Sequence, residues 1–213
     1  MYIKINEIFS TFDHTILSFY HSLALKYDAI LNPIASILEK IGDMPYLLIA
    51  WFALFLFLFT KKKKEGLLLA CGILVAFVAC EVIKVIVKRP RPFIELKEYY
   101  DWWVFVGSHD TSEFCFPSGH AIGAFGALTA WFINSKNKKV NWLVFIYAII
   151  MAASRNYLIA HYPSDVLVGS ILGIISGIIA YYIVELFYFI IKKIPNFFVS
   201  RFVLEGKLRK QGK

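Results

Sequence analysis

The chain has 213 residues, of which 59% are hydrophobic and 17% aromatic, with a mean hydropathy of +0.62. That is too apolar for a soluble domain of ordinary composition and points to one polytopic membrane domain. The formal net charge of +8 does not indicate nucleic acid, because lysines and arginines in the short loops of a membrane protein report its orientation.

Residues 1–43 are mixed. The stretch from Thr15 to Leu38 is rich in Ile, Leu and Phe but is interrupted by His21, Lys26, Asp28 and Pro33. A bilayer span takes about 20 mostly apolar residues, so this region reads as an amphipathic segment lying in the interface, with a sixth span as the alternative. No charged-then-apolar leader with a small-residue cleavage site opens the sequence, so insertion is expected to use the internal spans.

Apolar runs then follow at Pro45 to Thr60, Gly66 to Val87, Ser118 to Ile133, Val140 to Ala153 and Asp165 to Ile191. Between them lie the lysine run 61–64, an aromatic loop over 88–117, the Lys136–Lys139 loop and the connection 154–165. A basic tail closes the chain with Arg201, Lys207, Arg209, Lys210 and Lys213. The expected fold is therefore all-α, a polytopic membrane helical bundle of five to six transmembrane helices. Its parts are an N-terminal region 1–43, a transmembrane domain 44–194 and a cytoplasmic tail 195–213.

Alternation puts Lys61–Lys64, the 136–139 loop and the tail on one face, which the positive-inside rule makes cytoplasmic. The 88–117 loop and the 154–165 connection fall on the opposite, extracytoplasmic side of the plasma membrane. The loop's basic residues are balanced by Glu95, Glu98, Asp101, Asp110 and Glu113.

Three clusters on that face carry chemistry. Lys84 and Arg91 flank the end of the second run. Pro90 and Pro92 halt the helix there and can turn Arg91 back toward Lys84. Lys88 and Arg89 beside them read as snorkelling residues. Phe116-Pro117-Ser118-Gly119-His120 is a helix start, with the Ser118 and Gly119 N–H groups placed for an anion and His120 placed to give a proton. In the connection, Arg155 offers a planar donor fork to an anionic oxygen cluster. Asp165, in the first turn of the next helix, can reach back to His161 and leave one imidazole nitrogen free to attack. Each cluster has a plain structural alternative: snorkelling, a helix cap, and an Arg155–Asp165 pair.

Taken together, Lys84 with Arg91 and Pro92, Pro117 to His120, and Ser154 and Arg155 with His161 and Asp165 resemble the signature of the type 2 phosphatidic acid phosphatase superfamily, in order and in spacing, across about residues 66 to 190. The resemblance implies a metal-free lipid phosphatase without a cofactor. In it His161 is the nucleophile oriented by Asp165, His120 the acid and base, and Lys84, Arg91, Ser118, Gly119 and Arg155 the phosphate cradle. It implies a lipid phosphate as substrate, with membrane lipids around it and no nucleic acid partner. Candidate substrates are undecaprenyl diphosphate, phosphatidylglycerophosphate or phosphatidic acid, and lipid A. A non-enzymatic lipid-phosphate binder or transporter is the competing class.

Other residues read as structural. Glu81 is expected to pair with Lys84 along the helix, and Cys71, Cys80 and Cys115 to fill core positions. Trp102 and Trp103 are expected at headgroup level, and His14, His21 and His109 in loop or interfacial roles.

Overall fold

The computed structural model describes residues 1–42, 45–95, 97–108 and 114–193. His109, Asp110, Glu113 and the tail beyond 194 lie outside them, so the expectations placed there are not addressed. The described residues are mostly helical, with one isolated bridge between Pro90 and Phe114 and no strand among them.

The helices in order are α1 (Tyr2–Gly42), α2 (Pro45–Phe59), α3 (Lys63–Val87), α4 (Pro92–Glu95), α5 (Lys97–Phe105), α6 (Gly119–Asn134), α7 (Lys138–Asn141), α8 (Val144–Tyr157) and α9 (Pro163–Lys193). Among them α3 and α9 are long and apolar enough to cross a bilayer. The helices α2, α6 and α8 have 15, 16 and 14 residues, short of the about 20 that spanning a hydrocarbon core perpendicularly requires.

Three helices, α3, α6 and α9, form the centre, and α6 is packed between the other two. Small residues permit that closeness. A Cβ on Gly126 would lie 2.9 Å from the Ala76 Cβ and 3.1 Å from the Gly72 carbonyl oxygen. On the other side, a Cβ on Gly177 would lie 2.6 Å from both the Gly126 oxygen and the Thr129 Cβ. Such backbone approach is how apolar helices gain contact where lipid supplies no hydrophobic contrast. Gly177→Ala is therefore expected to cost about 1–3 kcal/mol by overpacking. Thermal unfolding in detergent measures this, and an unchanged midpoint would contradict such tight packing of α6 on α9.

Two expectations, for the end of the run before α9 and for Trp102, are corrected. The run expected to end at Ala153 instead begins at Val144 and continues to Tyr157, so Arg155 sits in the last turn of α8. The helix carries Ser154 to Tyr157 because neighbouring elements bury all four. The N-terminal region is one helical element broken at Tyr27 (φ −131, ψ 26), and it packs against α8 and α9. Trp102 is not a headgroup anchor: it is 2% exposed, stacked on His21 at 4.9 Å between ring centres. As expected, Glu81 pairs with Lys84 (3.3 Å), and Cys80 and Cys115 are buried.

Candidate active site

The site forms at one end of the bundle, where α3 and α8 finish and α6 and α9 begin. Beyond Val87, Lys88 turns left-handed (φ 51) and its N–H closes the helix on the Lys84 carbonyl at 2.9 Å. The following prolines keep the chain extended, and it lies beside the segment before α6, with the Cys115 N–H donating to the Arg89 carbonyl at 3.0 Å. At the α8–α9 turn, buried Ile159 also adopts a left-handed conformation (φ 52), costly for a β-branched side chain. The turn folds back so that the Ala160 and His161 N–H groups both donate to the Arg155 carbonyl.

This turn delivers His161 to a buried position, 3% exposed. Its Nδ1 lies 2.7 Å from the Cys115 carbonyl oxygen. A carbonyl can only accept, so Nδ1 carries the proton, and a neutral ring keeps its lone pair on Nε2. Nε2 faces Arg91 Nη1 at 3.5 Å. Burial, and then the charges of Arg91, His120, Lys84 and Arg155, hold the imidazole well below its ordinary pKa. It is therefore neutral at pH 7, the form that can attack an electrophile. Those four groups come from α3, the 88–91 segment, α6 and α8, and of them Arg91 lies nearest the ring among the described contacts, at 3.5 Å from Nε2.

Ser118 is fully buried at the start of α6, and its N–H donates to the Asp165 carbonyl at 3.1 Å. The expected use of that N–H for an anion is thus corrected, because the contact ties α6 to α9. The hydroxyl does not cap the helix and has no hydrogen-bond partner among the described residues. A buried hydroxyl left so is costly in isolation and suited to a ligand oxygen. Gly119 and His120, in the first turn of α6, are half-buried, as is Lys84. Arg91 and Arg155 are buried at 4% and 3% exposure. The arrangement is a group of buried arginines and a neutral imidazole, with a half-buried lysine and a second, half-buried histidine among the charges that act on that ring.

Asp165 has a different place from the expected one. Its Oδ2 is 3.6 Å from His161 Nδ1, outside hydrogen-bonding distance, and accepts from the Tyr162 N–H at 2.9 Å. The Cys115 carbonyl is the group that orients the ring, and Asp165 stands behind it as a charge. Its arginine partner is Arg89 (2.5 Å), not Arg155. Arg89 is not a snorkelling residue: it is 1% exposed, packed under the Tyr162 ring at 3.8 Å, and bonded also to Asn6, Ser164 and Asp13. Sequence reasoning missed Asn6, Asp13, Arg89 and Ser164. The run of three basic residues around Pro90 was a signal for Arg89, whereas nothing local marks Asp13.

A helical bundle with buried arginines and a buried neutral histidine gathered at one end is the class of protein these features define. A family model described as the PAP2 superfamily matches residues 65–188, and the chain belongs to that superfamily of phosphatases. An undecaprenyl-diphosphatase of Sulfolobus acidocaldarius is 32% identical over 68% of this chain and 66% of its own length. Undecaprenyl-diphosphatase BcrC of Bacillus subtilis is 26% identical over 78% of this chain and 80% of its own. The crystal structure of Aquifex aeolicus LpxE superposes with a TM-score of 0.60 at 25% identity, covering 77% of this chain and 93% of that one.

Proposed function

We propose that the protein is an integral membrane lipid phosphatase that hydrolyses a phosphate or diphosphate headgroup through a phosphohistidine, with undecaprenyl diphosphate as its substrate. One observation carries this reading. The neutral His161 ring presents Nε2 toward Arg91, among the charges of Lys84, His120 and Arg155. The relatives named undecaprenyl-diphosphatase support the choice of lipid.

In the proposed reaction His161 Nε2 attacks phosphorus in line, and a N–P bond forms as the P–O bond to the leaving group breaks. Protonated His120 gives its proton to the departing oxygen. Lys84, Arg91, Arg155 and the Ser118 hydroxyl, with the N-terminal end of α6 at Gly119, offset the charge on the equatorial oxygens. Positive charge appears on the imidazole as it bonds to phosphorus, and Asp165, 3.6 Å from Nδ1, stabilises it. Water then attacks the phosphohistidine, His120 takes its proton, and phosphate leaves. Protein cations carry the charge that metal ions carry elsewhere, so no metal is assigned.

The placement follows the basic loops: α3 and α9 span, α2, α6 and α8 complete a bundle of five spans, and α1 lies at the interface, packed against α8 and α9. The pocket then faces outward at the level of the lipid headgroups. An apolar groove of about 220 Å³ between α1 and α8, lined by Leu23, Ile34, Ile150 and Tyr157 and also by Ser154, whose hydroxyl accepts from Arg155 Nε, suits part of an acyl or prenyl chain. Phosphate release from a panel of undecaprenyl diphosphate, phosphatidylglycerophosphate, phosphatidic acid and lipid A, each with and without EDTA, tests the reading. The expected result is fastest release from undecaprenyl diphosphate, unaffected by EDTA. Preference for a water-soluble phosphomonoester, or activity lost to EDTA and restored by magnesium, would overturn it.

A further inference from the structure

Asp13 lies in α1, outside the matched family region, yet it is 4% exposed and all its described contacts run to the pocket's foundations. Its Oδ1 accepts from the Ser164 N–H at 2.7 Å, capping the first turn of α9, and its Oδ2 accepts from the Ser164 hydroxyl at 2.7 Å and from Arg89 Nη2 at 2.9 Å. Arg89 uses its other terminal nitrogen on Asp165. One guanidinium is thus shared by two buried carboxylates, of which only one stands beside the candidate nucleophile. Asn6 of the same helix holds Arg89 Nε at 2.8 Å and also donates to Glu95, which accepts the Tyr162 hydroxyl at 2.5 Å.

We infer that Asp13 is a positioning residue for the reaction: by capping α9 and dividing the charge of Arg89 between itself and Asp165, it sets how strongly Asp165 supports the His161 ring. The inference rests on the phosphatase reading above. With Asp13 present, Arg89 is partly neutralised from behind and Asp165 keeps negative potential to offer the imidazole. Without that charge, Arg89 pairs with Asp165 alone and the ring meets a more positive surrounding. The other groups facing the ring are Lys84 of α3, Arg91 before α4, His120 of α6 and Arg155 of α8. The Cys115 thiol and Arg89 face Asp165. Of these, only Arg89 touches Asp13 among the described contacts, so it is the one group whose pairing an Asp13 variant alters directly.

The test compares the full-length wild type with Asp13→Asn and Asp13→Glu, as purified protein in detergent, assayed against undecaprenyl diphosphate across pH. Asp13→Asn retains an oxygen for the Ser164 N–H but loses the charge. It is expected to lower kcat roughly tenfold with KM nearly unchanged. The acid limb of kcat/KM, where His161 gains its proton, is expected to move to lower pH by about half a unit. Asp13→Glu keeps the charge on a longer stem, so kcat is expected to fall while the limb stays at its wild-type pH. A merely structural role would lower the fraction of folded protein and leave the limb unmoved. An Asp13→Asn protein with unchanged kcat and limb, or a loss fully accounted for by unfolded material, would overturn the inference. If Asp13→Asn does not fold, Asp13→Glu decides, and wild-type kcat in it would overturn the inference. The pH dependence of orthovanadate binding, followed by thermal shift, reports the same potential without turnover. A wild type that binds vanadate but cleaves none of the lipids defeats the function while leaving the Asp13 comparison readable.

Discussion

His161→Ala is expected to reduce turnover of the lipid substrate by about a million-fold, the scale seen when a nucleophile is removed and the rest of a site remains. The expectation follows from geometry. His161 Nε2 is the lone pair aimed into the pocket, because Nδ1 is committed to the Cys115 carbonyl. Alanine leaves Lys84, Arg91, Arg155 and Ser118 in place, so the cradle keeps its affinity for anions. Phosphate binding by the variant, measured by thermal shift, should stay within a few-fold of wild type. The pair of measurements also separates the two classes of function. A transporter or sensor would lose little, since binding a lipid phosphate requires no nucleophile. Turnover reduced less than tenfold would sink the phosphohistidine mechanism.

Arg89→Met is expected to be the most destabilising single change, costing roughly 3–5 kcal/mol, as when one partner of a buried ion pair is removed. The loss exceeds the value of any one contact because two carboxylates, Asp13 and Asp165, remain buried among the described contacts without their shared cation. Removing Arg89 also releases the Tyr162 ring packed on it and one partner of the Ser164 hydroxyl. Arg89→Lys does not substitute well, since a single ammonium cannot reach the positions that Nε, Nη1 and Nη2 occupy on Asn6, Ser164, Asp165 and Asp13. Unfolding in detergent and residual turnover measure both variants. An Arg89→Met protein as stable and active as wild type would show that the network contributes nothing.

How far the sequence could be read depends on the range of each interaction. The long apolar runs that became α3 and α9 were legible from hydropathy. The pocket residues were legible because helix ends present them at fixed local spacings, such as Pro-Ser-Gly-His at the start of α6. The end of α8 was misplaced because Ser154, Arg155 and Asn156 look like loop residues until neighbouring helices bury them. Trp102 was misplaced for a related reason: an aromatic residue at a membrane edge and one stacked on a histidine from another helix have the same local pattern.

By itself the sequence determined which segments are apolar enough to form the long helices and which charged and titratable residues lie at their ends, since hydropathy and helix-end residues are local features. Only the tertiary structure decided the electrostatic wiring: the proton of His161 on Nδ1, the Ser118 N–H spent on α9, and Asp165 held by Arg89. Those choices belong to contacts between residues 46 to 76 positions apart, from His161 with Cys115 to Arg89 with Asp165. A buried charge must be matched by whatever the fold brings beside it, and no local spacing records which partner that will be.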